Sequence, residues 1–215
     1  MPPITPVTRL LLIACLSVFV AQAIATQIWH VDVLRAWLGL YPLAGGAMPW
    51  QPATFSFLHA DLTHLLFNLL GLWSFGPRLE MIWGGRRFLA FYAAGLAGSV
   101  LVYLLLTLVL PAPSFVGLSG ALFAMMLAFA QRFPHQSLSL MLPPVTLSAK
   151  QYVLIFGGIE MLLGLTRPGD GLAHIANLGG LLGGWLMLRY WGGQPPFKRG
   201  GGSPGKRPNH LRRVH

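Results

Sequence analysis

Phe115-Val-Gly-Leu-Ser-Gly-Ala-Leu-Phe123 sets one hydroxyl, that of Ser119, between two glycines at the start of an apolar helix. Glycine on either side lets a backbone or a bound chain approach closely. Gly120, Ala124 and Ala128 recur at helical spacing as a stripe of small residues on which a second helix can pack. That second helix is visible downstream, in Ala173-His-Ile-Ala-Asn-Leu-Gly-Gly-Leu-Leu-Gly-Gly184, with small stripes at Gly179/Gly183 and Gly180/Gly184 and an imidazole, His174, near its start. Small residues at that spacing also serve as a plain packing device. A serine and a histidine on two adjacent helices add the expectation of a hydrolase, with Ser119 as nucleophile.

The composition says what surrounds this pair. Of 215 residues, 54% are hydrophobic and 9% charged, against about 25% charged in soluble domains, so the chain is built for lipid. The net charge of +10 is concentrated in short loops and the tail. There it fixes orientation or meets anionic headgroups, so the expected partner is a lipid bilayer and not nucleic acid. Cys15, the lone cysteine, has no intrachain partner and reads as a small core residue. Arg9 precedes a long apolar run with no small-residue cleavage site leading to a soluble domain, which reads as a signal anchor or first span.

Hydropathy marks six spans in an all-α polytopic bundle over residues 1–191: Leu10 to Ala25 with flanks to Trp29, Phe57 to Phe75, Phe88 to Leu110, Leu118 to Ala130, Gln151 to Leu165, and Leu172 to Trp191. Prolines and glycines between Trp29 and Phe55 break any continuous helix, and the aromatics there suit a half-submerged interfacial loop. Gly76 to Arg87 reads as a loop, Arg132 to Lys150 as a longer connection with Pro143-Pro144, and Thr166 to Gly171 as a turn. Residues 192–215, rich in Gly, Pro, Lys and Arg, read as a disordered basic cytoplasmic tail.

With the N-terminus cytoplasmic, six spans return the C-terminus to the same side and thirteen of the 15 Lys and Arg fall inside, Arg35 and Arg167 being the exceptions. The protein is then expected in a bacterial inner membrane. His64, Ser119 and His174 all fall near the non-cytoplasmic starts of the second, fourth and sixth spans. Three separate segments thus bring polar groups to one depth. His64 and Asn68 share a helix face. The fourth span is short, which leaves room for water above its first turn.

His64-Leu-Leu-Phe-Asn68, Gly117-Leu-Ser-Gly120 and the histidine helix rich in glycine, in that order along six spans, resemble the rhomboid family of intramembrane serine proteases over about Pro49 to Trp191. The resemblance implies a Ser–His dyad without an acid and without a cofactor, cleaving transmembrane helices of other membrane proteins near the outer surface. It implies Ser119 as nucleophile, an oxyanion held by the Ser119 backbone N–H with His64 and Asn68, and Phe123 as a ring supporting the imidazole. Many relatives have tyrosine at that last position.

The histidine helix admits two registers. Many rhomboids place the histidine three and seven residues before the glycines that pack on the serine helix; Gly180 and Gly184 stand at that distance from Asn177. An amide cannot take the serine's proton, and this register describes a catalytically inactive relative that binds transmembrane helices. In the second register Ala173-His-Ile-Ala176 matches other family members and the dyad is Ser119/His174, with Asn177 where a packing glycine would be. Both remain open at this level. His174 is carried forward as the base, because a serine with both oxyanion partners intact is otherwise hard to explain.

Trp50-Gln51 and Glu80-Met-Ile82 each lack an arginine that ties a loop in many relatives. His59, on another face from His64, is expected to hydrogen-bond to the loop. His59, His64 and His174 have no carboxylate or cysteine at ligand spacing, so no metal site is expected. Glu160, placed in the lower half of the fifth span, is expected to bond to a neighbouring helix away from the serine. A small transporter is the weakest alternative, since paired broken helices in matching halves are missing.

Overall fold

The computed structural model describes residues 3–134, 136–139, 146–167 and 170–192. In chain order it contains α1 (Pro6–Trp29), α2 (Val33–Leu38), α3 (Gln51–Thr54), α4 (Leu62–Trp83), α5 (Gly85–Leu106), α6 (Ser119–Arg132), a short antiparallel hairpin of β1 (Ser137–Ser139) and β2 (Thr146–Ser148), α7 (Ala149–Thr166) and α8 (Gly171–Trp191). The six longer helices fall where hydropathy placed six spans. On length and composition alone, three of them, α1, α5 and α8, meet the requirement for crossing a membrane. Pro143-Pro144 and the expected tail from residue 193 onward lie outside the described residues.

α6 is the centre of the bundle. Ten of its fourteen residues are buried, a share possible only for a helix enclosed on most sides, and at about 1.5 Å per residue it is only about 21 Å long. Its small residues permit the enclosure. A Cβ on Gly180 would meet the backbone of Gly120, one on Gly184 would lie 2.7 Å from Ala124 Cβ, and one on Gly95 of α5 would lie 2.7 Å from the same methyl. Gly98 of α5 and Gly179 of α8 likewise meet through their backbones. α5, α6 and α8 therefore form a close-packed trio held by backbone approach, the mode available where lipid offers no hydrophobic gain for helix pairing.

α4 runs through the stretch expected to be a loop. Pro77 sits inside the helix, which continues to Trp83 and breaks only at Gly84, whose φ is +75°. Proline forfeits one backbone hydrogen bond. The packing at this level outweighs that loss: Gly76 and Pro77 are buried, and a Cβ on Gly76 would lie 2.8 Å from Thr8 Oγ1 of α1. One turn on, Glu80 accepts from the backbone N–H of Val7 at 2.9 Å and of Thr8 at 2.8 Å, and from the hydroxyls of Thr5 and Thr8. A carboxylate of α4 thus satisfies the orphan donors at the first turn of α1.

The segment between α1 and α4 contains only short helices, as its prolines and glycines dictate. Gln51 is almost fully buried, and its Oε1 accepts from the N–H of Tyr41 at 3.2 Å and of Met48 at 3.1 Å. The missing arginine beside Trp50 is thereby answered by an amide that ties the same loop.

Candidate active site

Ser119 is the first residue of α6, and the chain leading to it is clamped from both sides. Leu40 and Phe115 exchange two backbone hydrogen bonds at 3.0 and 2.7 Å. The Phe115 ring is stacked between Tyr103 and Phe55, each with a centroid distance of 5.2 Å. The Tyr103 hydroxyl donates to Pro113 O at 2.7 Å, and Arg35 donates to both the hydroxyl and the carbonyl of Ser114. Gly117 then turns with φ +105°, and a Cβ there would lie 2.6 Å from Cε1 of His64. Only glycine meets both conditions, so the first glycine of the motif exists to bring the backbone against the His64 ring.

The Asp61 side chain caps α4 by accepting from His64 N at 2.8 Å, which places His64 in the first turn and Asn68 one turn below. Both reach the serine. Ser119 Oγ donates to Asn68 Oδ1 at 3.0 Å and lies 3.2 Å from His64 Nε2. His64 Nδ1 accepts from Ala60 N at 3.5 Å, and a neutral imidazole has one donor and one acceptor nitrogen. This assigns the proton to Nε2 and makes His64 a donor toward Ser119, not its base. Asn68 Nδ2 is buried with no partner among the described residues. The Ser119 N–H, at the first position of α6, likewise has no intrahelical acceptor.

His59 does not make the expected hydrogen bond to the loop. Neither ring nitrogen has a partner within bonding distance among the described residues. The ring instead packs edge-on to His64 at 5.3 Å, while the Gln22 amide on α1 pairs with the His59 backbone, accepting from its N–H at 3.1 Å and donating to its carbonyl at 3.4 Å. A second amide hydrogen bond, from Gln22 to Asp32 at 3.0 Å, ties the loop after α1 to the same point.

Among the described residues the polar side chains at the start of α8 bond to α7. His174 Nδ1 lies 2.9 Å from Glu160 Oε2, where it donates because a carboxylate only accepts, and Asn177 Nδ2 donates to the same oxygen at 3.1 Å. Among the described residues the side-chain partners of Ser119 are His64 and Asn68 alone. Gly180 and Gly184 are the residues of α8 that meet Gly120 and Ala124, which is the register with Asn177 one turn above the contact. His174 lies a further turn up and about 60° around toward α7.

Glu160 departs from its expected place. It is the twelfth of eighteen residues in α7, nearer the end that adjoins the start of α8, and it bonds His174 and Asn177 of α8. The expected span, Gln151 to Leu165, already sets Glu160 past its midpoint, and the helix, which begins at Ala149 on a Ser148/Gln151 capping box, keeps it there. Phe123 is buried, but no ring pair joins it to His174 among the described residues.

Comparison with known proteins gives a match to the rhomboid domain over residues 46–193, more than half of the chain. The chain is 32% identical over 143 residues to the rhomboid protease GluP of Bacillus subtilis (strain 168), a stretch covering 64% of this chain and 25% of that protein. It is 26% identical over 190 residues to the rhomboid protease GlpG of Yersinia pestis (strain Pestoides F), covering 86% of this chain and 62% of the relative. GlpG of Yersinia pseudotuberculosis serotype O:3 (strain YPIII) matches to the same extent. The chain therefore spans less than two thirds of the length of these relatives.

Proposed function

This chain belongs to the rhomboid family, and from that premise we propose that it is an intramembrane serine endopeptidase that cleaves transmembrane segments of other membrane proteins. The observation that carries the proposal is the Ser119 hydroxyl held between His64 Nε2 and Asn68 Oδ1 at the N-terminus of a short, deeply buried helix. In this reading Ser119 Oγ bonds to the scissile carbonyl carbon while its proton passes to Nε2 of His174. The carbonyl oxygen takes the negative charge and is met by the donors of Ser119 N, His64 and Asn68. The carbon–nitrogen bond then breaks as His174 returns the proton to the leaving amine, and water repeats the sequence on the acyl-enzyme. Ser119 must leave Asn68 Oδ1 and close on His174 for the first step. Catalytic hydrogen bonds in free enzymes are often long and tighten only with substrate bound.

A second reading, a relative that binds transmembrane helices without cutting them, is favoured by one observation: the contact of Gly180 with Gly120 puts Asn177 on the turn of α8 next above it. A fluorophosphonate probe on the detergent-solubilised full chain separates the two. Labelling that vanishes in both Ser119→Ala and His174→Ala and persists in Asn177→Ala is expected. Absence of labelling where an active rhomboid protease reacts, with gain of labelling in Asn177→His, would establish the silent binder instead.

The site is proposed to open to the non-cytoplasmic side of a bacterial inner membrane with both termini inside, supported by the thirteen of 15 basic residues that this orientation places in the cytoplasm.

A further inference from the structure

Glu160 is the sole acidic residue of α7, and α7 is the least enclosed of the long helices: Ala149 is its one buried residue, while Leu154 and Leu165 are 74% and 76% exposed. A carboxylate on a lipid-facing helix is costly unless it is paired. Here it turns inward and is met by two donors from α8, His174 Nδ1 at 2.9 Å and Asn177 Nδ2 at 3.1 Å, both on the same oxygen. The side chains of His174 and Glu160 are 20% and 17% exposed, so the pair is partly shielded from water. Asn177 is 8% exposed, and its own Oδ1 finds no partner among the described residues. The amide is thus oriented by the carboxylate and has no competing bond.

We infer that Glu160 is a positioning residue, whose carboxylate, steadied by Asn177, fixes His174 as the Nδ1–H tautomer and leaves Nε2 as the free lone pair. The chemistry follows from the donor inventory. A carboxylate accepts only, so an imidazole bonded to it through Nδ1 carries its proton there, and the opposite nitrogen is the basic one. In serine hydrolases with three members the third group does this work, holding the tautomer and stabilising the imidazolium that forms. The two unusual features of α8, a histidine one turn above the packing register and an asparagine within it, then have one explanation. The base is set a turn higher and toward α7, and the asparagine supports the acid that orients it. The titratable group bonded to His174 is Glu160 from α7, and Asp170 and Arg167 pair with each other at 3.4 Å in the turn ahead of α8.

The catalytic consequence rests on the Ser119/His174 reading above, while the tautomer does not, and the test keeps them apart. The full chain, labelled with 15N in its histidine rings and held in detergent micelles, is compared with His174→Ala to assign the resonance. The expected spectrum has Nδ1 protonated and Nε2 bare in the wild type, moving toward the opposite tautomer in Glu160→Leu and retained in Glu160→Gln, whose Oε1 still accepts. The fluorophosphonate inactivation rate constant is expected to fall roughly 10²-fold in Glu160→Leu and roughly tenfold in Glu160→Gln, with probe affinity within about twofold of wild type. A helix clasp with no role in orientation would leave the tautomer unchanged in Glu160→Leu and the inactivation rate unchanged in Glu160→Gln; the first result overturns the inference, and the second does so should Glu160→Leu fail to fold. An Nε2–H wild-type spectrum does the same. An Nδ1–H spectrum in a protein that the probe does not label supports the inference and removes the peptidase reading.

Discussion

His59 occupies the connection just ahead of α4, 1% exposed, with its ring edge against His64. Burial, together with the neighbouring His64 imidazole, pushes its pKa down to about 4, and the charge of Asp61 opposes the shift only in part. An unfolded histidine titrates near 6.5. Between these values the unfolded chain binds a proton that the folded chain refuses, so stability is complete above about 6.5, falls as the pH is lowered, and stops falling near 4. At about 1.4 kcal/mol per pH unit the loss amounts to about 3 kcal/mol. Thermal unfolding in detergent from pH 7 to pH 4 measures it, and His59→Leu is expected to flatten the curve by that amount. An identical slope in the variant would assign the acid lability to another group. At this scale the sequence was informative about what is local. The four-residue spacing of His64 and Asn68 gives a shared face, and Ser119 between glycines gives an accessible hydroxyl. For Glu160 it indicated a bond to a neighbouring helix but not the partner, because whether a carboxylate in one span meets an imidazole in another depends on the rotation of both helices about their axes.

Elements show the same division. The six long segments could be read from hydropathy because apolar length is written directly in the chain. The path of α4 through Gly76-Pro77 could not, since glycine and proline signal a break unless packing outweighs them, and the partner that needs the small residue is Thr8, far away in sequence. The bond network of Glu80 gives this junction its strength. Four donors from three residues converge on one carboxylate that is 5% exposed. Removing the acceptor strands the first-turn N–H groups of α1 in a buried setting. Glu80→Ala is expected to lower the unfolding free energy by about 2–4 kcal/mol, and Glu80→Gln by less, because the amide oxygen still accepts. Equilibrium unfolding in mixed micelles reads the difference. Equal losses in the two variants would mean that side-chain packing and not the hydrogen bonds holds α1 to α4. Labelling of Ser119 is expected to survive in both, since Glu80 lies at the opposite end of α4 from His64.

For the molecule as a whole, the arrangement is a tight trio of α5, α6 and α8 with α1, α4 and α7 around it, and the chemistry-bearing groups gathered at one end. Each of the three helices that carry them begins at that end, with His64 in the first turn of α4, Ser119 opening α6 and His174 in the first turn of α8. Which side of the membrane this end faces is decided by charge and not by packing. Moving thirteen basic residues across a bilayer is opposed by the same bias that orients ordinary membrane proteins, and the two basic residues at the site end, Arg35 and Arg167, lie beside Ser114 and Asp170. The consequence is open to a direct check, because Cys15 is the lone cysteine and is fully buried. On a Cys15→Ala background, Ala44→Cys, exposed in the loop ahead of α3, is expected to react with a membrane-impermeant maleimide applied to intact cells. Gln131→Cys, exposed at the far end of α6, is expected to react only after the cells are opened. The reverse pattern would turn the site toward the cytoplasm and leave the positive charge outside. Reaction of both in intact cells would mean that the sequence does not impose a single orientation, and the proposed access of substrate from the outer surface would go with it.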